Sequence, residues 1–201
     1  GRFKYSKINQ LIDRVDNGIT SNITKIIIRR DLKASINQFA QYELCFGNRF
    51  YINPAGYNIK STGFTVSGSD KMAYLTDIPN KDSAGNLDGS MKGTISIVSK
   101  NNKNQQVVLV KGAGIVDYMK GEVILNTINF TSTVAENNIV EVQAYPESND
   151  VVGLKDLFVS FNVSNSTINM KEDVIASGED VSGVVFTRDY FTSSYSNGVL
   201  E

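Results

Sequence analysis

The chain has 201 residues, enough for one large domain or two small ones, and its hydrophobic content of 41% excludes wholesale disorder. Its 20 Lys and Arg against 21 Asp and Glu leave a formal net charge of -1, which supplies no electrostatic footprint for nucleic acid or an anionic membrane. There is no histidine, which removes the commonest general base, the usual zinc ligand and the usual triad partner.

The first segment reads as a helix. In SKINQLIDRVDNG, Ile8, Leu11, Ile12 and Val15 recur at i, i+3, i+4, i+7, with Ser6 as N-cap and Gly18 as stop, giving a helix over 7–16. The period then falls to two. Strands are expected over 23–30 (ITKIIIRR) and 41–46 (QYELCF), with the connecting DLKASINQFA left open. Shorter strands follow over 63–67, 72–75 and 94–99. Between the last two, 77–93 (DIPNKDSAGNLDGSMKG) reads as a long polar loop, of a length that is usually functional or tolerated.

A hairpin comes next. Strands over 115–118 and 122–128 flank Met119-Lys120-Gly121, a three-residue connection in which Gly121 takes the left-handed position. Val140, Val142 and Ala144 then alternate with Glu141 and Gln143. Leu157, Val159, Phe161 and Val163 alternate with Ser160 and Asn162. One-sided alternation is the mark of antiparallel sheets with a wet face. The expected fold is mainly β (α+β): antiparallel sheets with one short N-terminal helix. Its parts are a helical entry segment over 1–17, an antiparallel β domain over 18–145, and a C-terminal β extension with a contact arm over 146–201.

Candidate chemistry is sparse. Lys111-Gly112-Ala113-Gly114 lacks the Gly-Lys-Ser/Thr ending of a phosphate loop and precedes a strand instead of a helix, so it reads as a bend between strands. Asp77, Asp82 and Asp88 are spaced too widely for a calcium loop and read as solvated loop acids. Cys45, the one cysteine, has no histidine to activate it and reads as a small buried or half-buried hydrophobe. Arg29-Arg30 reads as a solvated strand end, and no Gly-x-Ser-x-Gly elbow singles out a serine. No catalytic residue, cofactor or metal is expected.

The opening GRFKYSKINQLIDR lacks an apolar signal-peptide core, and no stretch approaches a membrane span. With an unpaired cysteine, the expected setting is a reducing cytoplasm. The Asn-x-Ser/Thr matches at Asn22, Asn129, Asn162 and Asn165 are what chance gives in a chain this rich in those residues. Near the C-terminus, Phe186, Tyr190, Phe191 and Tyr195 stand among Ser, Thr and Gly. Rings with short polar neighbours are favoured at protein–protein contacts, and these four are the candidate interface; an ordinary core strand with a frayed end is the alternative.

Three stretches carry a resemblance. They are IDRVDNGITSNITKIIIRRDLKASINQFAQYELCFGNRFY, GIVDYMKGEVILNTINF and PESNDVVGLKDLFVSFNVSNSTINM, in that order. Together the chain resembles the baseplate wedge proteins of T-even-type contractile-tail bacteriophages, the J-like baseplate subunit, of which it would be a C-terminal fragment. The resemblance implies a scaffold without catalytic residues that pairs with a second copy (a homodimer), joins wedges into a ring and holds other wedge proteins. It implies residence in the virion tail baseplate after assembly in the host bacterial cytoplasm, with no nucleic acid, membrane or small-molecule substrate as partner. The alternative is a ligand-binding β-module of the carbohydrate- or receptor-binding adhesin or tail-fibre type. Such sites favour exposed Trp, which this chain lacks, although Tyr can substitute.

Overall fold

The computed structural model describes residues 2–153 other than 17, 20, 21 and 104. The chain divides into Gly1–Val159 and Ser160–Glu201, and the description below concerns the first unit. The strand expected over 157–163 lies outside the described residues.

The entry segment opens with β1 (Arg2–Phe3) and α1 (Tyr5–Asp13). The helix begins before Ser6 and ends before Val15, unlike the expected 7–16. Its N-cap residue Lys4 supplies no side-chain bond; instead the Asp150 carboxylate accepts the Tyr5 N–H at 3.0 Å. A carboxylate there also meets the positive end of the helix dipole. The same corner is closed by β11 (Val151–Val152), which pairs antiparallel with β1.

Next in the chain, β2 (Ile28–Lys33) pairs along its whole length with β10 (Ile139–Ala144), whose other edge takes β4 (Lys60–Ser61). The strand thus starts five residues later than the apolar run suggested. Its bounds follow its partner: Leu32 sits opposite Val140, and both are buried. Val140, Val142 and Ala144 all face the core, as their alternation predicted. The open segment 31–40 resolves into the end of β2, a turn with Asn37 at φ 58, and the start of β3 (Phe39–Cys45). Arg29 and Arg30 therefore lie within a strand, Arg29 reaching Glu141 at 3.0 Å and Arg30 Nε bonding the Cys45 carbonyl at 3.0 Å.

The main sheet closes on itself. β9 (Glu122–Thr133) takes β3 on one edge. From β9 the pairing runs through β5 (Phe64–Val66), β6 (Ser69–Pro79), β7 (Lys92–Lys100) and β8 (Gln106–Asp117), then returns to β9. Every pair is antiparallel, so the expected fold class holds. Inside the circuit, Phe64 and Phe130 meet edge-to-face at 5.0 Å, with Leu75, Ile95, Val123 and Leu125 fully enclosed beside them.

Three local expectations change. β6 and β7 continue to Pro79 and from Lys92, so the polar loop shrinks to 80–91, and Asp77 and Gly93 belong to the sheet. The 111–114 run is a bulge within β8: Ile95 pairs Gly114 and Ile97 pairs Val110, and Gly112 takes φ 74. Finally, the turn after β8 has four residues, 118–121, closed by the Gly121 N–H on the Asp117 carbonyl at 2.9 Å. Tyr118 leaves the ladder because its ring turns into the core, where it is 0% exposed.

Candidate functional site

Phe186, Tyr190, Phe191 and Tyr195 lie outside the described residues. Within the described unit, chemistry-bearing side chains gather at three places.

The first is Asp77. Along β6, Ala73, Leu75 and Asp77 alternate inward, which carries a carboxyl into the core at 0% exposure. One oxygen accepts the Ile59 N–H at 2.6 Å and the other the Tyr118 O–H at 2.6 Å. Burial pushes the Asp77 carboxyl above its ordinary range, against the pull of those donors. The Tyr118 hydroxyl is driven far upward by burial and by the facing carboxyl. Asp77 is therefore no solvated loop acid. Both side chains are fully buried, and the carboxylate oxygens and the hydroxyl are occupied by the bonds just given. It ties three segments: the loop before β4, strand β6 and the turn after β8.

The second is Asn48. Its side chain donates to the Val152 carbonyl and accepts the Val152 N–H, each at 2.8 Å. A Cβ at Gly121 would meet the Asn48 carbonyl oxygen at 1.9 Å, so only glycine fits against it. Phe46 N–H bonds the Gly121 carbonyl at 2.8 Å alongside. Phe46-Gly47-Asn48, Gly121 and Val152 come from the three stretches that carry the resemblance, and they converge on one corner. Asn48→Ala removes both bonds to Val152 and is expected to cost about 1–2 kcal/mol. Urea melts, with faster hydrogen exchange at the Val152 amide, check it; unchanged exchange contradicts it.

The third is Cys45. It is exposed, since Leu44 and Phe46 on either side take the buried phase, and this corrects the buried or half-buried expectation. Its Sγ lies 3.3 Å from Glu43 Oε1 and 3.7 Å from Glu122 Oε1. Hydrogen bonding to Glu43 is the main force pushing the thiol up, helped by burial and both negative charges. A thiol held protonated is a poor nucleophile. The three ligand atoms lie within 4.8 Å of one another, one fewer than a closed zinc site uses.

The acids of the 80–91 loop turn inward on their own backbone. Asp82 accepts the N–H groups of Ala84 and Asn86 at 2.9 Å, and Asp88 that of Ser90 at 2.8 Å. Ser90 holds the Asp88 carboxyl below its ordinary range. Both are turn formers.

No protein-family model matches the chain, and no curated protein matches it.

What remains is surface. The outer face of the sheet carries Ile78, Thr94, Ile115 and Ile124 in one cross-strand row, with Ile78 and Ile115 exposed. Along β8, Val107, Val108 and Val110 are also exposed. Sequence reasoning missed both, because they are visible only once the strands are in register. No helix among the described residues is long and apolar enough to cross a membrane.

Proposed function

We propose that the chain is a non-catalytic structural subunit that works by protein–protein contacts, as a scaffold piece of a contractile-tail baseplate wedge of the T-even type. The observation that carries this reading is the corner at Asn48. Residues of all three stretches meet there, tied by the two Asn48 side-chain bonds to Val152, by the backbone bond from Phe46 to Gly121 and by close packing, which is a structural role for the segments that carry the resemblance. The sealed Asp77–Tyr118 pair and the protonated thiol of Cys45 support the same reading. So do the apolar rows on β8 and on the outer sheet face, which suit burial against other proteins.

On this proposal the chain pairs with a second copy, meets other wedge proteins and resides in the virion. The aromatic segment at Phe186, Tyr190, Phe191 and Tyr195 remains the first candidate for the pairing surface. Size-exclusion chromatography with light scattering is expected to show a mass of two chains or more. Changing Tyr190 and Phe191 together to Ala is expected to weaken that association, with circular dichroism unchanged. A monomeric parent chain contradicts the pairing and favours a ligand-binding β-module.

A further inference from the structure

At one end of the main sheet, β6, β7 and the hairpin from β7 to β8 border an open groove of about 580 Å³. Lys71 lines it from β6, Lys100 from the end of β7 and Lys103 from the hairpin, and no acid lines it. Among the described residues none of the three lysines is in an ion pair. In a chain of net charge -1, three ammonium groups around one hollow are a local excess. Their mutual repulsion opposes the arrangement, and an anion between them relieves it.

The hairpin that carries Lys103 is held by its own amides. Asn101 Oδ1 accepts the N–H groups of Lys103 at 2.9 Å and of Gln105 at 2.8 Å, and Asn101 Nδ2 donates to Gln105 Oε1 at 3.0 Å. Both amide oxygens are thus spent inside the turn, and the Gln105 amide nitrogen is left to donate. Asn102 adds one donor and one acceptor group. With three lysines beside them, the lining is rich in donors and poor in acceptors.

A ligand that fits is therefore negative and rich in acceptors. Lysines act as point charges, which suits the tetrahedral oxygens of phosphate, and no arginine lines the groove to fork onto a flat carboxylate. The volume lies within the range of small-molecule sites and exceeds the needs of a bare ion. Met72 and the half-buried Tyr74 line the rest, so the ligand has an organic body as well. A single-stranded nucleic acid fits less well, because it is held along a basic track by successive stacked rings, and this lining holds one ring.

We propose that this groove is a binding site for a small phosphate ester of sugar size. The three lysines take its phosphate oxygens, and Tyr74 and Met72 flank its carbon frame. The site goes beyond the assembly reading and does not depend on it.

The probe is fructose bisphosphate, titrated at low salt into the full, isotope-labelled chain and followed by amide NMR shifts. Saturable shifts are expected at Asn102, Lys103 and Lys71, with a Kd of about 1 mM or tighter that weakens as salt rises. Inorganic phosphate is expected to bind at least about tenfold more weakly, since it reaches the lysines alone. Lys71 and Lys103 are both exposed, so Lys71→Gln with Lys103→Gln should leave the thermal melt unchanged while affinity for the ester falls at least about tenfold. Should that pair fail to fold, Lys100→Gln alone reads the same groove.

Equal affinity for inorganic phosphate would mean an adventitious ion only and overturn the assignment. Tighter binding of an oligothymidylate than of the ester overturns it in favour of a nucleic acid. Equal binding by the parent and the glutamine variants overturns it too. So does a full chain that gives no response at about 1 mM ester, including the case in which another part of the chain fills the groove.

Discussion

Gly121→Val is expected to damage the fold more than any change within the 80–91 loop. Two costs add. Gly121 sits at φ 67, where a β-branched residue is strained by about 1–2 kcal/mol. The new Cβ would also lie 1.9 Å from the Asn48 carbonyl oxygen and 2.8 Å from its carbon, backbone atoms that cannot swing aside. Asn48 in turn holds Val152, so relief of the clash pulls on the β1–β11 corner. A total on the order of 3–5 kcal/mol is expected, enough to unfold a marginal domain. By contrast, the tip of the loop is closed by a bridge between Lys81 and Leu87. Replacing 82–86 with Asn-Gly shortens an exposed closure and should shift stability by less than about 1 kcal/mol. Urea midpoints of the two variants, ranked against the parent, decide the matter; the reverse ranking contradicts the turn assignment.

Asp77→Ala is expected to cost about 2–5 kcal/mol, because it strands the Ile59 N–H and the Tyr118 O–H in the core, at about 1–3 kcal/mol for each unpaired group. Asp77→Asn keeps the shape and isolates the charge. With its folded-state range raised, native Asp77 holds its proton at pH values where the unfolded chain has released it. The folded state then binds more protons than the unfolded one, so this group's contribution falls as pH rises. It is most favourable below the ordinary carboxyl range near 3.8 and declines above it. The stability of the parent minus that of Asp77→Asn should therefore increase on acidification from neutral pH toward 4. A difference that is flat, or that shrinks on acidification, contradicts the buried, raised carboxyl.

The legible parts of this fold are those where local pattern and tertiary environment agree. Val140, Val142 and Ala144 alternate because one face of β10 is core, and Gly121 marks a turn because only glycine fits there. The start of α1 was not legible, since its cap is a carboxylate supplied by Asp150 from the other end of the unit. The run ITKIIIRR misled because isoleucine favours a strand wherever it stands, whereas the ladder of β2 is set by its register with β10. Asp77 was readable in principle. Ala73 and Leu75 fix an inward phase, and its next member is Asp77, but an acid followed by Ile-Pro-Asn carries the same local pattern as the start of a loop. Cys45 illustrates the same rule in reverse, because the phase of Leu44 and Phe46 puts it outside. Neither the bulge at Gly112 nor the apolar edge of β8 could be read from pattern, since both depend on which strand lies opposite. No candidate site was legible in the pattern: Phe186, Tyr190, Phe191 and Tyr195 lie outside the described residues, and the cross-strand row of Ile78, Ile115 and Ile124 exists only through strand register.

The most direct test of the scaffold reading is co-assembly. The tagged chain, expressed with the other baseplate wedge proteins of a T-even-type phage, should migrate with them as one particle through a sucrose gradient, and the fold-breaking Gly121→Val chain should be absent from that particle. A parent chain that stays folded yet sediments alone, apart from every wedge protein, would contradict the account.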